Sequence, residues 1–175
     1  LTLPFWLGLC SELGIAARVC VISRAPIEVA RSLQRRDGFP PGYGLRLFLH
    51  YRACIDRFVP ADARYLRYDD LLHDSAAVMA GLGFELPRAA GLAAAVRPDL
   101  RHQRAQGEGE LLTRADTGQL DLAALAREID AAYPLGETLR DFARGLTARG
   151  LELDRIGRAH AAALATLDER DRDIE

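Results

Sequence analysis

The sequence predicts an α/β fold that gives way to a helical C-terminal appendage, and three observations carry that expectation. Residues 18–23 (RVCVIS) form a continuous, β-branched apolar run, the pattern of a central strand buried on both faces. Residues 64–68 (RYLRY) form a second strand-like run that passes directly into a pair of acids suited to capping a helix. From residue 119 onward the chain is Ala-rich, its apolar residues keep helical spacing, and no strand pattern returns.

The elements follow in order. PFWLGLCSEL, residues 4–13, reads as a short helix ended by Gly14. After the 18–23 strand comes Arg24, and Pro26 then sits where the first turn of a helix tolerates it. That helix runs to about Arg36 and stops at Asp37-Gly38. A second helix follows Pro40-Pro41, with Leu47, Phe48, Tyr51, Cys54, Ile55 and Phe58 as its expected buried stripe. Beyond the 64–68 strand, Asp69 or Asp70 is expected to cap a helix whose apolar face includes Leu71, Leu72, Val78, Met79 and Leu82. AQGEGELLTRADTG, residues 105–118, has three Gly and little apolar content and reads as a linker or surface loop. In the tail, Leu122, Leu125, Ile129 and Tyr133 form one amphipathic face, and Leu139, Phe142 and Leu146 another. Leu153, Ile156, Leu167 and Ile174 then fall in an approximate heptad frame, with His160, Ala163 and Arg170 at its other seam positions.

Composition narrows the partners. A net charge of −2 gives no general pull toward nucleic acid or acidic membranes, so an anion has to be held by a few well-placed cations. All 23 cationic residues are Arg, which assigns that work to a planar fork able to grip phosphate bidentately. Cys10, Cys20 and Cys54 match no zinc spacing and are odd in number, so buried free thiols in a reducing cytosol are expected. No apolar run reaches the ~20 residues of a membrane span. The opening residues lack the basic region of a signal peptide, and a cytoplasmic location follows as the expectation. There is no initial Met, so the true N-terminus is expected upstream, and the absence of a stop signal at the end leaves room for the chain to continue downstream.

The informative segment is VCVISRAPIEVARS, residues 19–32. An Arg between a buried strand and a helix N-terminus faces an already positive dipole, and it becomes favourable when an anion sits between them. Ser32 lies seven residues beyond Ala25, close to two turns at 3.6 residues per turn, which puts its hydroxyl on the helix face fronting Arg24. Together they can offer a forked donor and a hydroxyl donor to one phosphate. The same residues also fit a surface Arg and a Ser that caps or back-bonds its own helix. Asp69-Asp70 fits helix capping better than a metal carboxylate pair, because adjacent acids point in different directions. His50, His73 and His160 fit solvated or seam positions. Arg31, Arg35 and Arg36 form a basic helix edge that suits either solvent or an anionic glycan.

The run from Val19 to Ser32 resembles the 3′-phosphate-binding strand and helix of sulfotransferases that use 3′-phosphoadenosine 5′-phosphosulfate. RRDGF, residues 35–39, is similar to bacterial members. RYDDLLHD, residues 67–74, resembles the family's later strand-to-helix motif, and PDLRHQR, residues 98–104, its basic loop over the cofactor. The resemblance covers residues 1 to about 105. It implies that Arg24 and Ser32 grip the cofactor's 3′-phosphate, that Tyr68 lies near the adenine, and that Arg101, His102 and Arg104 close over it. It implies residues 1–105 as the C-terminal part of a P-loop-like, parallel-sheet nucleotide-binding domain, 106–118 as a linker, and 119–175 as the helical appendage. No metal is implied.

The departures from the family are equally specific. The family's first phosphate-binding loop supplies a Lys, and this chain has none. The family's catalytic His precedes a Leu-Pro; here Leu3-Pro4 puts Thr2 at that position, and a Thr hydroxyl is a poor base at neutral pH. The expected function is therefore sulfuryl transfer to an acceptor hydroxyl, such as that of a carbohydrate, in a longer protein, with the chain as given an inactive fragment. A P-loop-type kinase fragment is the alternative enzyme. A helical interaction module with a vestigial nucleotide site is the non-enzymatic one, and the C-terminal helices leave room for self-association or for contacts to further domains.

Overall fold

The structure is a computed structural model that describes residues 2–83 and 104–172, with side chains described as far as residue 165. It is mixed α/β and mostly helical. Helix α1 (Leu3–Glu12) is followed by strand β1 (Cys20–Ser23), helices α2 (Pro26–Asp37) and α3 (Pro41–Phe58), and strand β2 (Arg64–Arg67). Short helices α4 (Tyr68–His73) and α5 (Ser75–Gly81) come next. Beyond residue 103 lie α6 (Glu110–Thr113), α7 (Leu122–Ala132) and α8 (Leu135–Arg172).

Local chemistry explains most boundaries. Pro26 and Pro41 open α2 and α3, where a missing N–H costs nothing. Gly38 ends α2 in the left-handed region, φ 71°, which a side chain would oppose. The helix expected after Asp69 or Asp70 breaks in two because the Asp74 carboxylate accepts the Ala77 N–H at 2.9 Å and starts α5 afresh. Asp69 and Asp70 do not cap α4. Arg67 holds the cap position, and both acids lie in the first turn, where they still complement the dipole.

β1 and β2 pair in parallel, Cys20 opposite Arg64 and Ser23 opposite Arg67, as the only sheet among the described residues. The expected central strand buried on both faces is corrected. Cys20 is exposed and Ile22 is 54% exposed, while Ser23 is buried. A β-branched run reports a preference for extended backbone, not how many layers cover it. The expectation of buried cysteines is corrected with it: all three are free, Cys20 exposed and Cys10 and Cys54 half-buried.

The core joins α2, α3, α6 and α7 through Ile27, Ala30, Leu45, Leu112, Leu125 and Ile129. Helices α2 and α3 approach closely because position 44 is Gly; a Cβ there would lie 3.0 Å from the Ala30 Cα. That contact rotates α3, so its buried face runs through Gly44, Leu45 and Arg52, with Phe48 and Leu49 packed alongside. Tyr51 and Phe58, expected inside, are exposed. Arg52 is itself buried. Its Nε donates to Asp56 at 2.9 Å, and Nη2 donates to the Gly118 carbonyl. Its Nη1 lies 3.0 Å from the Asp116 carboxylate, off the line of a hydrogen bond, so that contact is coulombic.

Residues 106–118 are thus no simple linker: Leu112 and Asp116 are buried and tied to α3. The helical tail also divides elsewhere than at 119, since Leu120, Leu125 and Ile129 belong to the core. Helix α8 docks through its first four turns, as far as Arg149, whose guanidinium lies against Gly38. Thr138 is buried, and Phe142 stacks on Tyr43 with ring centres 4.8 Å apart. Leu139 and Leu146 face solvent, and residues 151–165 are exposed all round. No helix of the described residues is long and apolar enough to cross a membrane.

Two outcomes follow. Arg52→Ala strands a buried Asp116 without its counter-charge and should destabilise the protein by about 3–5 kcal/mol in urea titrations. Ending the chain after Gly150 should leave the melting temperature nearly unchanged, whereas ending it after Gly118 should abolish the cooperative transition, because Leu120, Leu125 and Ile129 go with it.

Candidate functional site: an arginine-lined cleft at the strand ends

Parallel pairing places the last residues of β1 and β2 side by side, Ser23 opposite Arg67. The chain then turns into α2 after Arg24 and into α4 at Tyr68, so both junctions open toward the same space. This is the carboxyl end of a parallel sheet, where open α/β sheets hold their ligands. A cleft of about 290 Å³ lies there, and residues 104–106 form its far wall.

The Arg24 guanidinium lies over the Tyr68 ring, 4.9 Å from its centre, and its Nε donates to the Glu28 carboxylate at 2.8 Å. A cation on an aromatic face is held in place without losing its hydrogen-bonding edge. Arg67 lies 3.9 Å from Asp69, a loose and half-exposed pair. Arg104 reaches the cleft from the opposite wall, and its own carbonyl accepts from Arg31 at 3.1 Å. Three Arg against Glu28 and Asp69 leave the lining with a formal excess of one positive charge. That balance suits an anion.

Of the residues expected from sequence, Arg24, Tyr68 and Arg104 come together here. Ser32 does not join them. It is exposed on α2, one turn beyond Glu28, and the cleft's lining on that helix ends at Glu28. Arg101 and His102 lie outside the described residues. Thr2 is exposed at the start of α1 and does not line the cleft. Among the described residues no group of three or more His, Cys, Asp or Glu could hold a metal ion.

Three cleft residues escaped the sequence reading. Ser23 and Arg67 are strand-end residues, and only the parallel register makes them neighbours. Glu28 was legible in principle, because an acid four residues after Arg24 is within reach on one helix face. Ser23 is 6% exposed, and its Oγ finds no hydrogen-bond partner among the described residues. A second cleft, about 420 Å³, lies at the amino ends of the strands. There Arg18 is committed to the Leu82 carbonyl at 2.9 Å, which leaves it less suited to an anion.

A buried hydroxyl without a partner is a standing cost of about 1–3 kcal/mol. Ser23→Ala should therefore raise the melting temperature of the ligand-free protein, read by calorimetry; a fall would show that the hydroxyl is satisfied in solution.

Compared with protein-family models, with curated proteins and with solved structures, the chain finds no match in any of the three.

Proposed function

We propose that the cleft is the 3′-phosphate half of a site for 3′-phosphoadenosine 5′-phosphosulfate, and that the protein takes part in sulfuryl transfer to an acceptor hydroxyl. The observation that carries this reading is Arg24, at the carboxyl end of β1 and the start of α2, stacked on Tyr68 from the neighbouring strand end. A phosphate there meets a forked donor and the positive end of a helix dipole. The Tyr68 ring adds an aromatic face of the kind on which an adenine packs. The P-loop-like sheet, of which β1 and β2 would be two strands, belongs to the same proposal.

In the reaction, the acceptor oxygen attacks sulfur as the bond from sulfur to the bridging phosphate oxygen breaks. The acceptor proton passes to a base, and adenosine 3′,5′-bisphosphate leaves. The chain's own part is to bind and orient the nucleotide: Arg24 and Arg104 hold the 3′-phosphate, away from the bond that breaks. A Lys for the 5′ end is not among the 175 residues, so that contact falls to Arg or to another segment. Arg101 and His102 enter through the resemblance, as further contacts over the cofactor; the 3′-phosphate role that the resemblance gives Ser32 is not part of the proposal, because Ser32 lies outside the cleft. A carbohydrate hydroxyl is the proposed acceptor.

One phosphate subsite supports weak binding, because a charge-assisted hydrogen bond contributes about 1.5–3 kcal/mol; the expected Kd is about millimolar to high micromolar. An NMR titration of adenosine 3′,5′-bisphosphate into the 175-residue chain should shift the Arg24 and Tyr68 signals, and Arg24→Ala should weaken binding about tenfold or more. Equal binding by Arg24→Ala would remove the basis of the reading. Tighter binding of ATP than of the bisphosphate would favour a kinase instead.

A further inference from the structure

Glu28 is 3% exposed, an unusual depth for a carboxylate, and its two oxygens serve different elements. Oε2 accepts from Arg24 Nε at 2.8 Å, and Oε1 accepts from the Ala105 backbone N–H at 2.8 Å. One side chain thereby joins the strand-end cation to the opposite wall of the cleft, 77 residues away in sequence. The wall has a second tie one turn along α2. Arg31 donates to the Arg104 carbonyl at 3.1 Å and to Glu108, and Glu108 in turn accepts from the Tyr133 hydroxyl at 3.4 Å. Burial and the Glu108 charge push the Tyr133 phenol above its ordinary range. Arg31 would hold the wall near the core whatever Glu28 does. Among the described residues, Glu28 is the one that links that wall to Arg24 through the two oxygens of a single carboxylate.

We infer that Glu28 is a positioning residue of the anion site, a two-sided clamp that aims the Arg24 guanidinium and seats residues 104–106 across the cleft. The inference rests on the proposed nucleotide site for its purpose but not for its geometry. A carboxylate is the side chain suited to the task. It accepts on both oxygens, so it can hold a guanidinium and a backbone N–H at once. An amide offers one acceptor oxygen and turns an NH₂ toward the other partner. Gln at position 28 can therefore keep the wall or the Arg, not both. The two bonds also couple the sites: an anion that fixes Arg24 fixes the carboxylate, and the carboxylate fixes the Ala105 N–H.

The test uses the 175-residue chain, with hydrogen exchange read at the Ala105 amide and at Arg24 Nε by NMR. In the wild type both should be protected. Glu28→Gln, which conserves size and guards against a failure to fold, should keep one protection and lose the other by about tenfold or more. Glu28→Ala should lose both, and Glu28→Asp should restore neither fully, being one methylene short. Adenosine 3′,5′-bisphosphate should slow exchange at Ala105 in the wild type and fail to do so in Glu28→Gln. Unchanged exchange at both positions in Glu28→Gln would overturn the clamp while leaving the nucleotide reading intact. Loss of protection in Glu28→Gln, together with a wild type that ignores the bisphosphate, would uphold the clamp and defeat the nucleotide reading.

Discussion

The approach of α3 to α2 at Gly44 and Ala30 is the constraint on which the rest of the molecule depends. A strand–helix–helix–strand path can return a second strand parallel to the first only if the two helices pack tightly enough to bring the chain back beside its start. Gly44 permits that, since any Cβ there would press on the Ala30 backbone. With the helices in place, β2 runs alongside β1 in a register that sets Ser23 against Arg67. The cleft at the strand ends is a consequence of that pairing, and so is the stacking of Arg24 on Tyr68.

Charge is handled in a consistent way through the interior. With no Lys in the chain, guanidinium groups do the work: the buried Arg52 and the part-buried Arg24 are each matched with a carboxylate that also does something else. Asp116 neutralises Arg52 and anchors the segment after α6 against α3. Glu28 neutralises Arg24 and holds the Ala105 backbone. Such pairs are costly to desolvate and costly to break, so they add less to net stability than to specificity of arrangement. They explain how a segment rich in Gly and polar residues, 105–118, can be held firmly against the helices with only Leu112 and a few partly buried neighbours contributing apolar contact.

Helix α8 shows the opposite regime. At 38 residues it is about 57 Å long, and among the described side chains only those of its first four turns meet the body, through Thr138, Phe142 and Arg149. Its remaining side chains, as far as they are described, stand in solvent supported by i,i+3 ion pairs such as Arg155 with Glu152 at 2.6 Å. Pairs of that kind are weak, and the helix interior carries Gly145, Gly150 and Gly157, each unfavourable by about 1 kcal/mol relative to Ala.

Much of the local structure was legible in the sequence because it is decided locally. Pro26, Pro41 and Gly38 act on the backbone dihedrals of their own neighbourhoods, so α2 begins and ends, and α3 begins, where those residues dictate. The amphipathic face of α7 was equally plain, since Leu125 and Ile129 differ from their neighbours in polarity. The α3 face was misread because its buried members include a Gly and an Arg, which carry no apolar signal. The burial of β1 was misread because propensity reports extended backbone rather than the presence of a covering layer. The sequence by itself therefore determined where β1, β2, α2 and α7 form and that Arg24 stands between β1 and α2. Tyr68 and Arg104 were expected beside Arg24 from the resemblance; only the tertiary structure decided that Glu28 and Arg67 share their cleft and that Ser32 does not. Contacts across 40 to 80 residues depend on strand register and helix packing, which no window of sequence contains.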